Sequence, residues 1–273
     1  MYQKRVLKTK FKKPLSMLSL FSGIGGLDIA AEMTGNIKTV AMCERDAFAA
    51  RVLKYRWPHI AHFDNVKNIN AKELEHHGIT KIDIVAGGFP CQSFSRSNPN
   101  RSGLLSPKSL FPEMLRIVSE LREIDPNNCK TILCENVEGF IDLGLDALQA
   151  ELERLGYESS TFVYPAAAVG YPFKRYRTFV VAHRYGELWD SLSAGTPGTV
   201  CEEVPRNFSR EILAKLSVLP PTTRVSSQLD SFSANSIKCA GNAVVPGQAY
   251  PLFQAIVETE RRIRRQQRIA LAA

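Results

Sequence analysis

A cysteine that follows the end of a predicted strand is the first candidate for chemistry in this chain. Cys91 stands in Gly87-Gly88-Phe89-Pro90-Cys91-Gln92, and the apolar residues 82–86 before it are typical of a buried parallel strand. Open α/β sheets bind ligands at the carboxyl ends of their strands, where this thiol would lie. Pro90 fixes its own φ and favours an extended Phe89, so the approach to the thiol is stiff. A single cysteine is nevertheless more often a small buried residue than a nucleophile, and the other polar groups decide between these two hypotheses.

Charged residues adjoin two later predicted strands. Glu135 comes directly after residues 131–134, and Arg175 and Arg177 come before residues 178–182. A carboxyl group at a strand end can act as a general acid, and guanidinium groups can hold a carbonyl or a phosphate. Each has an ordinary alternative, which is a helix cap or ion pair for the glutamate and a solvated charge for the arginines.

A glycine-rich turn follows the first predicted strand. Residues 15–21 are apolar, Ser22-Gly23-Ile24-Gly25-Gly26 is the turn, and residues 27–33 favour a helix. This order is typical of a nucleotide cradle, although such turns often serve close packing alone. The next strand, residues 39–43, ends at Glu44, about 20 residues beyond the turn, where an acid accepts hydrogen bonds from ribose. Asp64 ends a third run and fits either an adenine contact or a turn.

The elements that must position these groups alternate between strands and helices. This alternation predicts an α/β fold with a doubly wound, mostly parallel sheet. We expect helices over 47–55, 110–124, 147–155 and 250–269, and late strands over 161–169 and 178–182. The alternation stops near residue 184. We therefore predict a main domain over 1–184, a small inserted or accessory segment over 185–223, and a return to the main domain over 224–273.

Composition narrows the class of protein. With 273 residues, 44% of them hydrophobic, the chain can build one large domain. No apolar run approaches the roughly 18 residues that span a bilayer, and the N-terminus lacks a signal peptide, so we expect a cytoplasmic protein. The six cysteines and five histidines form no zinc spacing, and we predict reduced thiols and no metal. A net charge of +8 is compatible with a nucleic-acid partner or with solvated basic faces.

Five segments, in this order, resemble the motifs of the cytosine-C5 DNA methyltransferase family of bacterial or phage type. They are Leu20–Gly26, which is similar to the S-adenosylmethionine-binding motif, Phe89–Ser95, which is similar to the nucleophile motif, Glu135-Asn136-Val137, Arg175-x-Arg177, and Gly241–Pro246. One such match is weak evidence, and five in order are not chance. The resemblance implies a Rossmann-like class I methyltransferase fold. Two positions depart from the family's pattern, Phe173 where glutamine is usual and Ser19 where aspartate is common.

The resemblance implies methyl transfer from S-adenosylmethionine to C5 of cytosine. Cys91 would add to C6 as a thiolate, and Glu135 would hold N3 and supply or share a proton. Arg175 and Arg177 would fix the base carbonyl and the adjoining phosphate, or brace Glu135. The base that removes the C5 proton is not identified by the sequence.

The resemblance also implies a set of cofactor-binding residues. The adenine and ribose would contact Phe21, Glu44 and Asp64. The methionine part would contact Gly23, Gly25 and Gly26. The pocket would be completed by Pro90, Leu110 and Asn242.

A stacked base cannot be attacked in this way, so the target cytosine must flip out of a DNA duplex. Residues 93–106 could close over it or form an ordinary surface loop. The resemblance implies that 1–184 and 224–273 form the catalytic domain and that 185–223 is a small target-recognition segment, which is too short to predict the target sequence. We expect a monomer at the nucleoid, with or without a cognate restriction endonuclease. The alternatives are the same chemistry on tRNA, a binding protein that has lost turnover, and a nicotinamide-dependent oxidoreductase. The last would leave the Pro-Cys-Gln motif without a purpose.

Overall fold

The computed structural model describes residues 10–90, 109–184 and 243–272, and within them one seven-stranded sheet forms the centre of the molecule. The strand order is β3-β2-β1-β4-β5-β7-β6. β7 runs antiparallel to both of its neighbours, and the other strands are parallel to one another. The strands are β1 Leu15–Leu20, β2 Ile37–Cys43, β3 Ala61–Phe63, β4 Ile84–Gly87, β5 Thr131–Val137, β6 Glu158–Pro165 and β7 Tyr176–His183.

Helices cover both faces of this sheet. Two of them begin at caps that the sequence supplies, since the side chain of Asp46 accepts hydrogen bonds from the first turn of α2 and that of Asn70 does so for α3. The α-helices of the described residues are α1 Gly26–Met33, α2 Ala47–Arg56, α3 Ala71–His76, α4 Phe111–Ile124, α5 Phe140–Arg154 and α6 Pro246–Ala272. No helix in the described ranges is long and apolar enough to cross a membrane.

The core consists of two layers, because side chains alternate between the two faces of each strand. In β4, for example, Val85 packs into one layer and Ile84 into the other. The first layer lies under α4 and α5, and the second lies under α1 and α6. The last helix, α6, therefore packs on the sheet. Residues 185–242, which precede it, lie outside the described part of the chain.

The strand register brings the predicted site residues to one edge of the sheet. Leu20 pairs with both Cys43 and Gly87, and Gly87 pairs with Cys134. Since these strands are parallel, the residues that follow them emerge at the same edge. Glu135 therefore lies beside Gly88.

The predicted mixed α/β fold with a mostly parallel sheet is confirmed, and β7 is its antiparallel strand, a direction that residue type does not encode. Several elements have other bounds than expected, such as β7, which begins at Tyr176, and α6, which begins at Pro246. α5 begins at Phe140, well before residue 147, because Gly144 is buried and the apolar face continues through it. The predicted strand 161–169 ends at Pro165, where a 3-10 turn over Ala166–Val169 starts and Ala166 N donates to Lys174 O at 2.6 Å.

Candidate active site

The centre of the site is a buried carboxyl group held between an arginine and a glycine. Arg177 Nε lies 2.8 Å from Glu135 Oε1. The two side chains face each other because Val137 pairs with Arg177 across β5 and β7, which makes Glu135 its diagonal neighbour on the same face. The second carboxyl oxygen lies against Gly88, where a Cβ atom would approach Glu135 Oε2 to 2.6 Å. Gly88 is thus the residue type that leaves room for the carboxyl group.

The electrostatics of this carboxyl group suit proton transfer near neutral pH. Burial raises the pKa of Glu135 to about 7, and the charges of Arg177 and Arg175 oppose that rise. Burial and repulsion from Arg177 together lower the pKa of Arg175, whose guanidinium group nevertheless stays charged. A group that is part protonated at neutral pH can give and take a proton.

The arginine loop, residues 170–175 between the 3-10 turn and β7, is held by hydrogen bonds between side chains and main-chain oxygens that link it to residues in and just before α6. Arg175 has a φ of 36°, and its Nη2 donates to Ala243 O at 2.5 Å. The buried Gln248 donates through Nε2 to Arg175 O at 3.1 Å and to Tyr164 O at 3.0 Å. Nothing in the sequence analysis indicated Gln248, since a glutamine inside a helix carries no signal of its own.

The approach to Cys91 is held by packing on one side and by an amide on the other. The Phe89 ring lies 5.5 Å from that of Phe111 and 5.4 Å from that of Phe140. Asn136 Nδ2 donates to Phe89 O at 3.3 Å, which gives the middle residue of the Glu-Asn-Val segment a positioning role that the sequence analysis did not assign. Pro90 is exposed. Cys91 itself lies outside the described residues, and its role stays a prediction.

The glycine turn presents one open position, at Gly23. This residue has a φ of 56°, and a Cβ atom there would meet no heavy atom within 4 Å. Its N–H donates to Glu44 Oε2 at 2.7 Å, and Glu44 Oε1 accepts from Asp46 N at 2.7 Å. Phe21, next to the turn, has a φ of 54°, an uncommon conformation for a large side chain that is often found at functional sites.

The other two turn glycines are required by the protein's own packing. A Cβ atom at Gly25 would come within 2.5 Å of the Trp57 ring, and one at Gly26 within 2.3 Å of Val244 O. Next to Trp57, Arg56 donates through Nη1 to Ile24 O in the turn at 2.7 Å. The end of α2 therefore holds the glycine turn in place, a role that the sequence analysis did not assign to Arg56 or Trp57.

The remaining predicted cofactor residues lie around the same edge. Asp64, which is exposed, and Glu44, which is half-buried, both line a cavity of about 530 Å³. Leu110 is half-buried just before α4. Asn242 lies outside the described residues. Acceptors at the ends of β2 and β3, next to an open glycine N-terminal to a helix, suit a nucleoside with ribose hydroxyls.

The histidines and cysteines of the described ranges were a possible metal site. In the described ranges no group of three His, Cys, Asp or Glu side chains could hold a metal ion. His77 pairs instead with Glu73 at 3.6 Å on the exposed side of α3.

A family model for C-5 cytosine-specific DNA methylase matches residues 15–203, which include this whole constellation up to β7. The chain belongs to this DNA methylase family. The Type II methyltransferase M1.ScrFI of Lactococcus lactis subsp. cremoris is 34% identical over 169 residues, which are 60% of this chain and 40% of that protein. The human tRNA (cytosine(38)-C(5))-methyltransferase is 30% identical over 196 residues, which are 71% of this chain and 48% of that protein. The matched part thus spans less than half of either relative.

Solved structures agree with the methylase fold. The chain resembles a DNMT2 variant from Spodoptera frugiperda with a TM-score of 0.51 and 24% identity, over 63% of this chain and 50% of that one. At this identity the likeness supports the Rossmann-like fold alone.

The departure from the methylase pattern at Ser19 has a physical counterpart in α1. Ser19 Oγ lies 3.1 Å from Asp28 Oδ2, and Thr39 Oγ1 donates to Asp28 Oδ1 at 3.1 Å. Burial raises the pKa of Asp28 to about 7. Ser19 therefore contacts the carboxyl group of Asp28, whereas many family members carry a carboxyl group at position 19 itself.

Proposed function

We propose that this protein is a DNA (cytosine-5-)-methyltransferase that transfers a methyl group from S-adenosylmethionine to C5 of a cytosine in duplex DNA. The observation that carries the proposal is the buried Glu135 carboxyl group, held by Arg177 at 2.8 Å and lying against Gly88, three residues before Cys91. Family membership alone gives the reaction class, and this constellation supplies an acid for the ring that must be activated.

The proposed reaction begins with covalent activation of the cytosine ring. The Cys91 thiolate adds to C6 and forms a carbon–sulfur bond. The π electrons of the C5–C6 bond move to form a C4–C5 double bond, and those of the C4–N3 bond take a proton from Glu135, which leaves an enamine that is nucleophilic at C5. C5 then takes the methyl group, and S-adenosylhomocysteine leaves with the electrons of the broken carbon–sulfur bond. Loss of the C5 proton to a base or water restores the C5–C6 double bond, the Cys91 thiolate leaves, and N3 returns its proton to Glu135.

The Glu135 environment supports this sequence. A pKa of about 7, raised by burial, leaves the group part protonated at neutral pH, so that it can supply a proton to N3. Arg177 stabilises the carboxylate that remains after transfer, because its Nε contacts the same group. Arg175 and Arg177 can in addition hold the base carbonyl and the adjoining phosphate.

We assign the cofactor to the edge formed by the ends of β1, β2 and β3. S-adenosylmethionine supplies an electrophilic methyl group when it is bound. The open turn at Gly23 would admit the methionine part, Glu44 would accept hydrogen bonds from the ribose, and Phe21 would lie against the adenine. Asp64 would face the adenine amine, and Pro90, Leu110 and Asn242 would complete the pocket.

The substrate must present an unstacked cytosine, which a duplex provides by base flipping. The net charge of +8 supports a polyanionic partner. An enzyme that modifies cellular DNA works at the nucleoid in the cytoplasm, and we propose that it does so as a monomer. A cognate restriction endonuclease fits the similarity to Type II methyltransferases.

One observation favours a second candidate, methyl transfer to tRNA. The similarity to the human tRNA methyltransferase extends over 71% of this chain. The chemistry at Cys91 and Glu135 would be the same, and only the nucleic acid would differ.

Methyl transfer to the two nucleic acids tests both candidates. The protein is incubated with tritiated S-adenosylmethionine and either plasmid DNA from a methylation-deficient host or an unmodified tRNA pool, with the Cys91→Ala variant as control. We expect radiolabel in DNA, none in the variant, and S-adenosylmethionine binding retained by the variant. Label in tRNA alone would replace the DNA proposal, and label in neither would reject both.

A further inference from the structure

Phe173 is an exposed aromatic residue in the arginine loop. The residue is 46% exposed, and among the described residues no other phenylalanine is exposed to this degree. The proposed reaction gives this ring no task.

The loop holds the Phe173 ring in a defined position. The ring centroid lies 5.6 Å from that of Tyr171, which is only 6% exposed. Tyr171 in turn belongs to a small apolar cluster with Ala166, Val169 and Val245. On the other side of Phe173, Lys174 O accepts a hydrogen bond from Ala166 N at 2.6 Å. The ring is therefore presented on a braced loop.

Cationic residues follow Phe173 along the chain. Lys174 is exposed, and Arg175 and Arg177 follow it, with Arg177 in contact with Glu135. An exposed ring beside positive charges is the combination that single-stranded nucleic acids bind, since bases stack on the ring and phosphates pair with the charges.

We propose that Phe173 is a stacking surface for a nucleobase next to the target cytosine. This inference rests on the proposed function, because it places the base beside the arginines of that site. A flipped cytosine leaves its neighbours unstacked or exposed, and an aromatic ring at the rim of the site compensates for the lost stacking. Glutamine, which is usual here in the family, has no ring and cannot do so.

Binding of two matched oligonucleotides tests the proposal without any turnover. One fluorescein-labelled strand is a mixed DNA or RNA sequence of about 20 nucleotides, long enough for one binding site, and the other is an abasic strand of the same length. The proteins compared are wild type, Phe173→Ala, Phe173→Gln, Phe173→Trp, and the control Tyr55→Ala, which removes another ring, 73% exposed, from α2.

We expect Phe173→Ala and Phe173→Gln to bind the strand with bases about tenfold more weakly, with Phe173→Trp and Tyr55→Ala close to wild type. Binding of the abasic strand should be the same for all five proteins, because phosphate contacts remain. Equal loss on both strands, or unchanged affinity of Phe173→Ala, would overturn the proposal. A lower Tm of Phe173→Ala with unchanged affinity would assign the ring to packing and also overturn it.

Comparing the DNA and RNA oligonucleotides shows which of the two nucleic acids supplies the stacked base. Wild-type methyl transfer, measured separately, decides the proposed function. If wild type transfers methyl groups and Phe173→Ala keeps its affinity, only the stacking role fails. If wild type transfers none to either nucleic acid, the proposed function fails by itself.

Discussion

Replacing Gly88 with alanine places a methyl group in the space that the Glu135 carboxyl group occupies. The new Cβ atom would lie 2.6 Å from Glu135 Oε2, which is closer than real Cβ contacts. The clashing atom is the end of a flexible side chain, so the carboxyl group moves and the backbone stays. A shift of that group by several tenths of an ångström or more breaks its alignment with Arg177 and with N3 of a bound base.

The neighbouring glycine provides the matched control. A Cβ atom at Gly87 would meet Leu20 O at 2.6 Å and Met114 Cε at 2.9 Å, and a backbone carbonyl in the sheet cannot move away. We therefore expect Gly87→Ala to destabilise the fold by about 1–3 kcal/mol, as overpacking in a core does. Gly88→Ala should keep the fold and lose activity by about 100-fold, the effect of misplacing a catalytic group by about 1 Å.

Single-turnover methyl transfer and thermal unfolding measured on both variants separate the two effects. The expected pattern is a Tm near wild type with slow transfer for Gly88→Ala, and a lowered Tm for Gly87→Ala. Wild-type rates in Gly88→Ala would refute the requirement for a carboxyl group against Gly88. A Tm loss in Gly88→Ala as large as in Gly87→Ala would refute the distinction between side-chain and backbone clashes.

Three further substitutions test the electrostatics and the cofactor turn. Arg177→Met removes a charge that lowers the pKa of Glu135. In the pH–rate profile for methyl transfer, the limb that depends on Glu135 should therefore move to higher pH, and the maximum rate should fall. Burial raises the pKa of Asp28 from 3.8 to about 7. Between these pH values the folded protein therefore holds a proton on Asp28 that the unfolded chain has lost. Its stability should fall as pH rises through this window, by on the order of 1–4 kcal/mol at about 1.4 kcal/mol per pKa unit. Asp28→Asn should flatten that fall in urea titrations, and an unchanged slope would contradict it. Arg56→Met removes the donor to Ile24 O. Calorimetry should then show S-adenosylmethionine binding that is about tenfold weaker, which is the effect of losing one hydrogen bond to a charged group. The transfer rate at saturating S-adenosylmethionine should be retained. Unchanged affinity would count against a role for Arg56 in holding the turn.

The sequence predicted those parts of the site that depend on strand ends. Parallel strands with apolar cores and polar ends place Phe21, Glu44 and Glu135 at one edge, and the register of β1, β2, β4 and β5 follows that expectation. Periodicity carries this information because a buried strand and its exposed end differ in residue type.

Contacts that link distant segments could not be predicted in this way. The clash that excludes a side chain at Gly26 comes from Val244, and the hydrogen bond that fixes Arg175 O comes from Gln248. Both depend on where α6 packs, which local sequence does not specify. The direction of β7 has the same origin, because its side chains alternate equally well in either orientation.

Covalent capture of Cys91 tests the central claim most directly. Duplex DNA copied with 5-fluorocytosine in place of every cytosine needs no knowledge of the target sequence, and the fluorine at C5 prevents the final loss of a proton. With S-adenosylmethionine present, we predict a denaturant-resistant protein–DNA complex whose peptide map places the adduct on Cys91, and no complex for Cys91→Ala. A wild-type protein that methylates DNA without forming this adduct, or an adduct on another residue, would contradict the mechanism.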